Sequence, residues 1–427
     1  MKENTRVTLG IVLWVCIALS FATAGVYALV KSGNKSEGSE GESVVVETSL
    51  SNIEYVAPES VGLDSRNLGY IERKVEQYIT MGATDGAVVA VVRDGKIAYL
   101  EAFGNRERGG EAMTSDTRFD LASLTKPVAV ATAVMQLVER GDLRLEERVC
   151  NIIPEFEDYK DSKTKEVHYA TIGDLMSHSS GIRPYVALSR LDEDYPGREF
   201  NESLLLEYIA HSERLGAPGT ICKYSCLNYI LLGEIIERRT GMSLDEYTKQ
   251  NIFEPLQMKA TCFTPDEEYA VLTAPTSPVG AETELRGVVN DPLARELMAG
   301  VSGNAGLFST AEDLAIYCAM LLNGGEWQGV KILSQRAVEE LFIPAECDGS
   351  TRTMAWERLS SDFEVYDPDK ESSIYVHTGA TGTSIHLDLE HNMALIILTN
   401  RTHVEGAASD IRDLRRSIAT IVEYSVI

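Results

Sequence analysis

Basic residues are scarce in this chain. Lys and Arg number 39 against 65 Asp and Glu, which leaves a formal charge of −26 at pH 7. A surface of that sign repels phosphate backbones and anionic headgroups, so nucleic-acid binding and charge-driven docking on lipid are set aside. The acidity itself reads as a solubility device, and the partners expected are small or neutral. Cysteines are few and scattered. Outside one apolar run they are Cys150, Cys222, Cys226, Cys262, Cys318 and Cys347, without the paired spacing of a metal site. One disulfide could form in an exported chain, but a large core does not require it. There are no internal repeats. The glycine-rich stretch Gly300-Val301-Ser302-Gly303-Asn304-Ala305-Gly306 lacks the G-K-[ST] ending of a phosphate loop; it reads instead as a loop before a helix capped by Ser309 or Thr310.

Long hydrophobic runs are also missing, with one exception. Val7 to Val30 carries no charge and is bounded by Lys2, Arg6 and Lys31, long enough to span a bilayer. Residues 1–31 are therefore expected to be a signal anchor, with Ala22-Thr23-Ala24 as a signal-peptidase site if the segment is cleaved instead. Both readings place the remainder outside the cytoplasm. Residues 32–51, rich in Gly, Ser and Glu, read as a flexible acidic linker. The folded part is expected from about Val56 to the C-terminus, as one two-part domain or two domains.

Within that part, Ala87 to Val92 and Ile97 to Leu100 flank Arg93-Asp94-Gly95-Lys96, the pattern of two strands joined by a D-G turn. Ser123 and Lys126 follow in Ser123-Leu124-Thr125-Lys126-Pro127. The spacing S-x-x-K also occurs at Ser32/Lys35 and Ser162/Lys165, but both copies sit in polar runs that read as loops. After Ser123, by contrast, Val128, Thr132, Met135 and Val138 recur at helical spacing before Gly141. On a helix, residues three apart share a face about 5–6 Å apart. Ser123 would then lie at a helix N-terminus, where free N–H groups favour developing negative charge. Lys126 would accept its proton if desolvation lowers the amine pKa. Pro127 is compatible with a first turn.

Further along, Pro218-Gly219-Thr220 leads into Lys223-Tyr224-Ser225-Cys226 and then a helix through Leu231, Leu232, Ile235 and Ile236 to Thr240-Gly241. Tyr224 falls in the turn before it, a third proton-handling group. Near the C-terminus, Ile374-Tyr375-Val376-His377-Thr378 reads as a strand running into Gly379-Ala380-Thr381-Gly382, with strands at 384–389 and 393–399 after it.

In this order, S-L-T-K at 123–126, P-G-T-x-x-x-Y-S at 218–225, G-N-A-G-L-F-S-T at 303–310 and H-T-G at 377–379 resemble the serine β-lactamase and penicillin-binding-protein superfamily, in its branch of class C-like serine hydrolases, esterases and D-amino-acid peptidases. The resemblance covers roughly 56–427. It implies an α+β fold of the β-lactamase/transpeptidase kind: an antiparallel sheet made from both chain ends, flanked by helices, with a mostly helical lobe inserted at roughly 125–285. It implies that Ser123 is the acylated nucleophile, Lys126 and Tyr224 its proton-handling partners, and the backbone N–H groups of Ser123 and Ala380 the oxyanion hole. His377, Thr378 and Gly379 would occupy the family's K-T-G strand, and Cys226 the place of a substrate-holding Asn. No cofactor or metal is called for.

Two departures bear on substrate. A thiol at Cys226 cannot present both a strong donor and an acceptor, and Asn228, two helical residues on, is turned about 200° away. A histidine in place of the K-T-G lysine is mostly neutral at pH 7. Asn290 and Asn304 also stand where relatives often carry His. The expected activity is a membrane-tethered serine hydrolase acting through an acyl-enzyme on Ser123, on a small ester or on a small amide or peptide without an essential carboxylate, cell-wall-derived substrates among them, with poor turnover of β-lactams. Alternatives are a D,D-carboxypeptidase or D-aminopeptidase, a weak β-lactamase, and a catalytically silent module that binds cell-wall fragments.

Overall fold

The computed structural model describes residues 53–427 apart from 108, 277–284, 346, 348–349, 360–372 and 405–410. The expected anchor at 1–31 and linker at 32–51 lie outside the described residues. Among the described residues no helix is long and apolar enough to cross a membrane.

Six antiparallel strands form the main sheet, in the order Glu357–Arg358, Ile374–Thr378, Ser384–Asp388, Met393–Thr399, Gly86–Arg93, Lys96–Gly104. The N-terminal hairpin thus joins the C-terminal strands through the pairing of Gly86–Arg93 with Met393–Thr399. Its D-G turn forms as the sequence predicts, with φ of 52° at Asp94 and 71° at Gly95, the backbone that a two-residue hairpin needs.

Alternation along the central strand explains its uninterrupted apolar run. Val88, Ala90 and Val92 face one side with Ile385, Ile396 and Leu398, under the helix Ala311–Leu322. Ala87, Val89 and Val91 face the other with Leu395 and Ile397, under the helices Tyr70–Thr80 and Ile411–Glu423. A sheet covered on both faces has no place for a polar alternate. Each fully buried Val, Ile or Leu stabilises by about 1.5–3 kcal/mol.

Between the two halves of the sheet lie the helices Thr132–Arg140, Ile172–Met176, Leu188–Asp194, Glu202–His211, Cys226–Thr240 and Leu244–Thr248. Their apolar faces merge into the same core that covers Val88 and Ile396. Both sequence-predicted glycine stops occur, Gly141 at φ 78° and Gly241 at φ 70°, left-handed positions that suit glycine. Thr310 is the cap of Ala311–Leu322, its hydroxyl accepting from the Asp313 N–H at 3.2 Å. A second, three-stranded sheet sets Leu307–Ser309 between Phe119–Asp120 and Cys262–Phe263. It brings the glycine-rich loop alongside the residues that lead into Ser123.

Candidate active site

The floor of the site is built on Asp120. Its buried carboxylate accepts from the Ala122 N–H at 2.8 Å and the Asn290 N–H at 2.7 Å. Burial raises its pKa to about 6, against the pull of those two donors. The bond to Ala122 holds that residue at φ 48°, a left-handed conformation that costs a non-glycine residue about 1–3 kcal/mol. The chain then turns sharply. Ser123 sits in a short 3₁₀ turn, Ala122–Leu124, and Lys126–Ala131 forms a π-helical turn before the α-helix begins at Thr132. The expected α-helical face is therefore replaced by a tighter and then a wider turn. The Pro127 carbonyl takes side-chain hydroxyls, Thr132 at 3.1 Å and Tyr317 at 2.9 Å.

The serine and lysine nonetheless meet. Lys126 is fully buried and its Nζ donates to Ser123 Oγ at 3.0 Å and to the Asn304 carbonyl at 2.8 Å. The second bond requires the glycine-rich loop to lie against the helix Cys226–Thr240, and Gly303 permits it: a Cβ there would collide with the Tyr229 carbonyl. Burial pushes the ammonium pKa down, but Cys226 and Tyr224, once ionised, push it up by more, and the balance is upward. The sequence-based expectation of a lowered amine pKa is thus corrected. The resting pair is an ammonium on Lys126 and a phenol on Tyr224.

Tyr224 stands at the turn before Cys226–Thr240, its hydroxyl near enough to Lys126 and Ser123 for both to favour its ionised form. Burial raises its pKa, with Lys126 pulling in the opposite direction. The Lys126 ammonium lies 5.1 Å from the Tyr224 ring centroid. Beneath it is His178, which the sequence reading missed. Its ring packs 4.5 Å from Tyr224 and 5.1 Å from Tyr229, and its Nδ1 accepts from the Ser225 N–H at 3.1 Å. Burial, then the charges of Arg352 and Lys126, hold its pKa well below the usual histidine value, so the ring is neutral with its proton on Nε2. Cys226 lies close enough to Lys126 and Tyr224 to influence both. Asn228 is turned into the core, where its amide accepts from Ser180 at 2.8 Å and donates to the Leu175 carbonyl at 3.2 Å.

The opposite wall is the end of strand Ile374–Thr378. Gly379 lies so close to the 121–122 backbone that a Cβ would meet the Leu121 carbonyl at 2.5 Å. Thr381 Oγ1 donates to the Asp120 carbonyl at 2.7 Å and Thr383 Oγ1 to the Leu121 carbonyl at 3.0 Å. Arg415, from the C-terminal helix, donates to the Gly379 carbonyl at 3.1 Å and the Thr383 carbonyl at 2.8 Å. These bonds hold the bend 379–383 against residues 120–122, which lead directly into Ser123. Thr378 and Ala380 are exposed, whereas His377 is buried. Burial, with Lys126 and Arg352 adding to it, depresses the His377 pKa well below its usual value, so this ring carries no charge at pH 7. Trp356 packs against it edge-on at 6.4 Å.

A full positive charge is present all the same. Arg352 places its guanidinium 4.9 Å from the Tyr224 ring centroid. No motif marks it, because it reaches the site through tertiary packing from a segment well before H-T-G. Arg415, Trp356 and His178 carry no motif for the same reason. The Asn290 amide nitrogen is buried without a hydrogen-bond partner among the described residues, and the Asn304 side chain accepts from Ser302 at 2.7 Å. Among the described residues, the carboxylates close enough to share a metal ion are Glu202, Glu234 and Glu237, which include none of the site residues.

A strained turn presenting Ser123, a buried lysine and a glycine bend folded onto it make up the site of a serine acyl-transfer enzyme. Residues 71–420 match the model of the beta-lactamase family, and the chain belongs to that family. It is 31% identical over 371 residues to the N-acetylmuramyl-L-alanine amidase of Bacillus subtilis, covering 81% of this chain and 83% of that protein. It is also 31% identical over 384 residues to a Salmonella agona protein named "Putative D-alanyl-D-alanine carboxypeptidase", covering 81% and 85%. Among solved structures, a class C beta-lactamase superposes with a TM-score of 0.65 at 19% identity, over 85% of this chain and 97% of that one. The protein is a β-lactamase-family serine hydrolase.

Proposed function

We propose that this chain is a membrane-tethered hydrolase of the cell exterior that cleaves a small amide or ester, of the kind found in cell-wall fragments, through an acyl-enzyme on Ser123. The observation that carries the reading is the 3.0 Å bond between Lys126 Nζ and Ser123 Oγ, with Tyr224 within reach of both. The pair first releases one proton to solvent, so that Lys126 and Tyr224 share a single acidic proton between amine and phenol; Ser123 Oγ then bonds to the substrate carbonyl carbon while its own proton passes to the pair. The carbonyl oxygen becomes anionic between the N–H groups of Ser123 and Ala380. As the C–N or C–O bond breaks, the pair returns the proton to the leaving group, and water then repeats the sequence to free the acid. Two relatives carry names of enzymes that act on muramyl or D-alanyl amides, which favours the amide. The charge-free run at 7–30 and a Cys222–Cys347 disulfide favour an oxidising, external setting.

The test is intact-mass detection of an acyl adduct across esters, penicillins, D-Ala-D-Ala peptides and muramyl peptides. An adduct that forms in the wild type and vanishes in Ser123→Ala is the expected result. No adduct and no fluorophosphonate labelling would leave a binding module as the better account.

A further inference from the structure

A buried arginine outside the catalytic cleft lacks a counter-charge. Arg118 is 5% exposed, and among the described residues its guanidinium makes neither an ion pair nor a hydrogen bond, Nη1 being buried without a partner. Its backbone is fixed, the N–H donating to the Leu272 carbonyl at 3.0 Å and the carbonyl accepting from the Ala274 N–H at 2.8 Å. The side chain meets a ring. Arg118 Cζ lies 3.7 Å from the Tyr269 ring centroid, which covers one face of the guanidinium and leaves its N–H edge for another partner. Asp313, a buried carboxylate near enough to feel the Arg118 charge, is already committed to the Ala260 N–H and the Thr261 hydroxyl, both at 2.8 Å. Burying a charge without a partner is costly, and a ligand that brings a negative charge would offset that cost.

Arg118 lines a cavity of about 620 Å³ whose walls include none of Ser123, Lys126, Tyr224 and His377. Phe253, Met258 and Phe263 make part of it apolar. Its other charged groups are Lys249 and Lys259 against Asp245, Glu246, Glu254 and Asp266. Lys249 faces Glu254 at 3.9 Å, and Asp266 accepts from the Tyr269 N–H at 3.0 Å as a helix cap. With carboxylates outnumbering cations, a polyanion is repelled and a single negative charge is favoured. We propose that this cavity is a binding site for a small monocarboxylate with an apolar body, the carboxylate on Arg118 and the body against Phe253, Met258 and Phe263. A planar fork meets a carboxylate with two parallel N–H bonds. The volume is in the range that holds a small organic molecule. The site stands independently of the acyl-enzyme reading.

The test measures binding of 3-phenylpropionate and of its neutral carboxamide by calorimetry and ligand-observed NMR. The wild type is expected to bind the acid about tenfold more tightly than the amide, the worth of a charge-assisted hydrogen bond. Arg118→Gln should bring the two affinities together. Lys249→Glu changes an exposed side chain of the cavity wall and should weaken the acid about threefold while sparing the amide. Tyr224→Phe should leave both affinities unaltered, because the catalytic cleft is elsewhere. No binding of the acid at millimolar concentration, equal affinity for acid and amide in the wild type, a preference that survives Arg118→Gln, or one that is lost in Tyr224→Phe would overturn the assignment. Should Arg118→Gln fail to fold, the acid-to-amide ratio in Lys249→Glu decides: a reduced ratio supports the site and an unaltered one overturns it.

Discussion

The Thr381 hydroxyl donates to the Asp120 carbonyl at 2.7 Å, across 261 residues of sequence. With the Thr383 bond to the Leu121 carbonyl, it joins the bend that carries Ala380 to the turn that carries Ser123, so the two halves of the proposed oxyanion hole depend on these two hydroxyls. Thr381→Val keeps the shape and removes the bond. Stability is expected to fall by about 1 kcal/mol, and kcat by tenfold or more, because the donors must stay near 3 Å from the oxyanion. Thermal melting and ester hydrolysis measured on the same preparation check this.

The Cys222–Cys347 bridge closes a loop of 125 residues. Its removal in a Cys222→Ser/Cys347→Ser variant is expected to lower stability by about 2–4 kcal/mol, seen in urea unfolding. The same variant should also lose part of its acylation rate, since the bridge ties the Arg352 segment to the turn that carries Tyr224. An unaltered rate would show that the packing of Met354 and Trp356 suffices.

His386 is buried, and neither ring nitrogen has a hydrogen-bond partner among the described residues. Burial, with Arg415 adding to it, lowers its pKa to about 3. The folded state therefore keeps the ring neutral, while the unfolded chain protonates it below about pH 6.5. The sign follows: this group's contribution is complete above pH 6.5 and is lost as pH falls from there toward 3. At pH 5 the loss is about 2 kcal/mol. His386→Leu should remove it, so that the stability difference between variant and wild type shifts by about that amount in the variant's favour between pH 7.5 and pH 5. Chemical denaturation at the two pH values is the measurement.

Cys226 occupies the place of an amide side chain. Cys226→Asn is expected to raise acylation by penicillins about three- to tenfold, the worth of one added hydrogen bond. The wild type should turn over a chromogenic cephalosporin far more slowly than a short-chain p-nitrophenyl ester. Stopped-flow acylation and steady-state hydrolysis distinguish the two expectations.

Legibility in the sequence followed the range of the interaction. The hairpin at Asp94-Gly95, the glycine stops at Gly141 and Gly241 and the Thr310 cap are decided by a few neighbouring residues, and each appears as read. Ser123, Lys126, Tyr224 and His377 were visible as short motifs, and the structure gathers them around one point. The π-helical turn at Lys126–Ala131 was not visible. It depends on hydroxyls from Thr132 and from the distant Tyr317 converging on the Pro127 carbonyl. Arg352 and Arg415 were invisible because an arginine on a loop or a C-terminal helix carries no local signature of what its long side chain reaches. The upward shift of Lys126 is not legible in the sequence, because S-x-x-K signals a desolvated amine but not the approach of Cys226 and Tyr224 that outweighs it.

The pairing of Ala87 with Thr399 has a temporal meaning. A chain leaves the ribosome from its N-terminus, so the central strand emerges early and waits for a neighbour that is made almost last. Such distant pairing slows closure, and the apolar strand stays unsatisfied meanwhile. Premature burial of Val88 or Val91 against a wrong partner is the hazard, and a holding chaperone is the natural remedy.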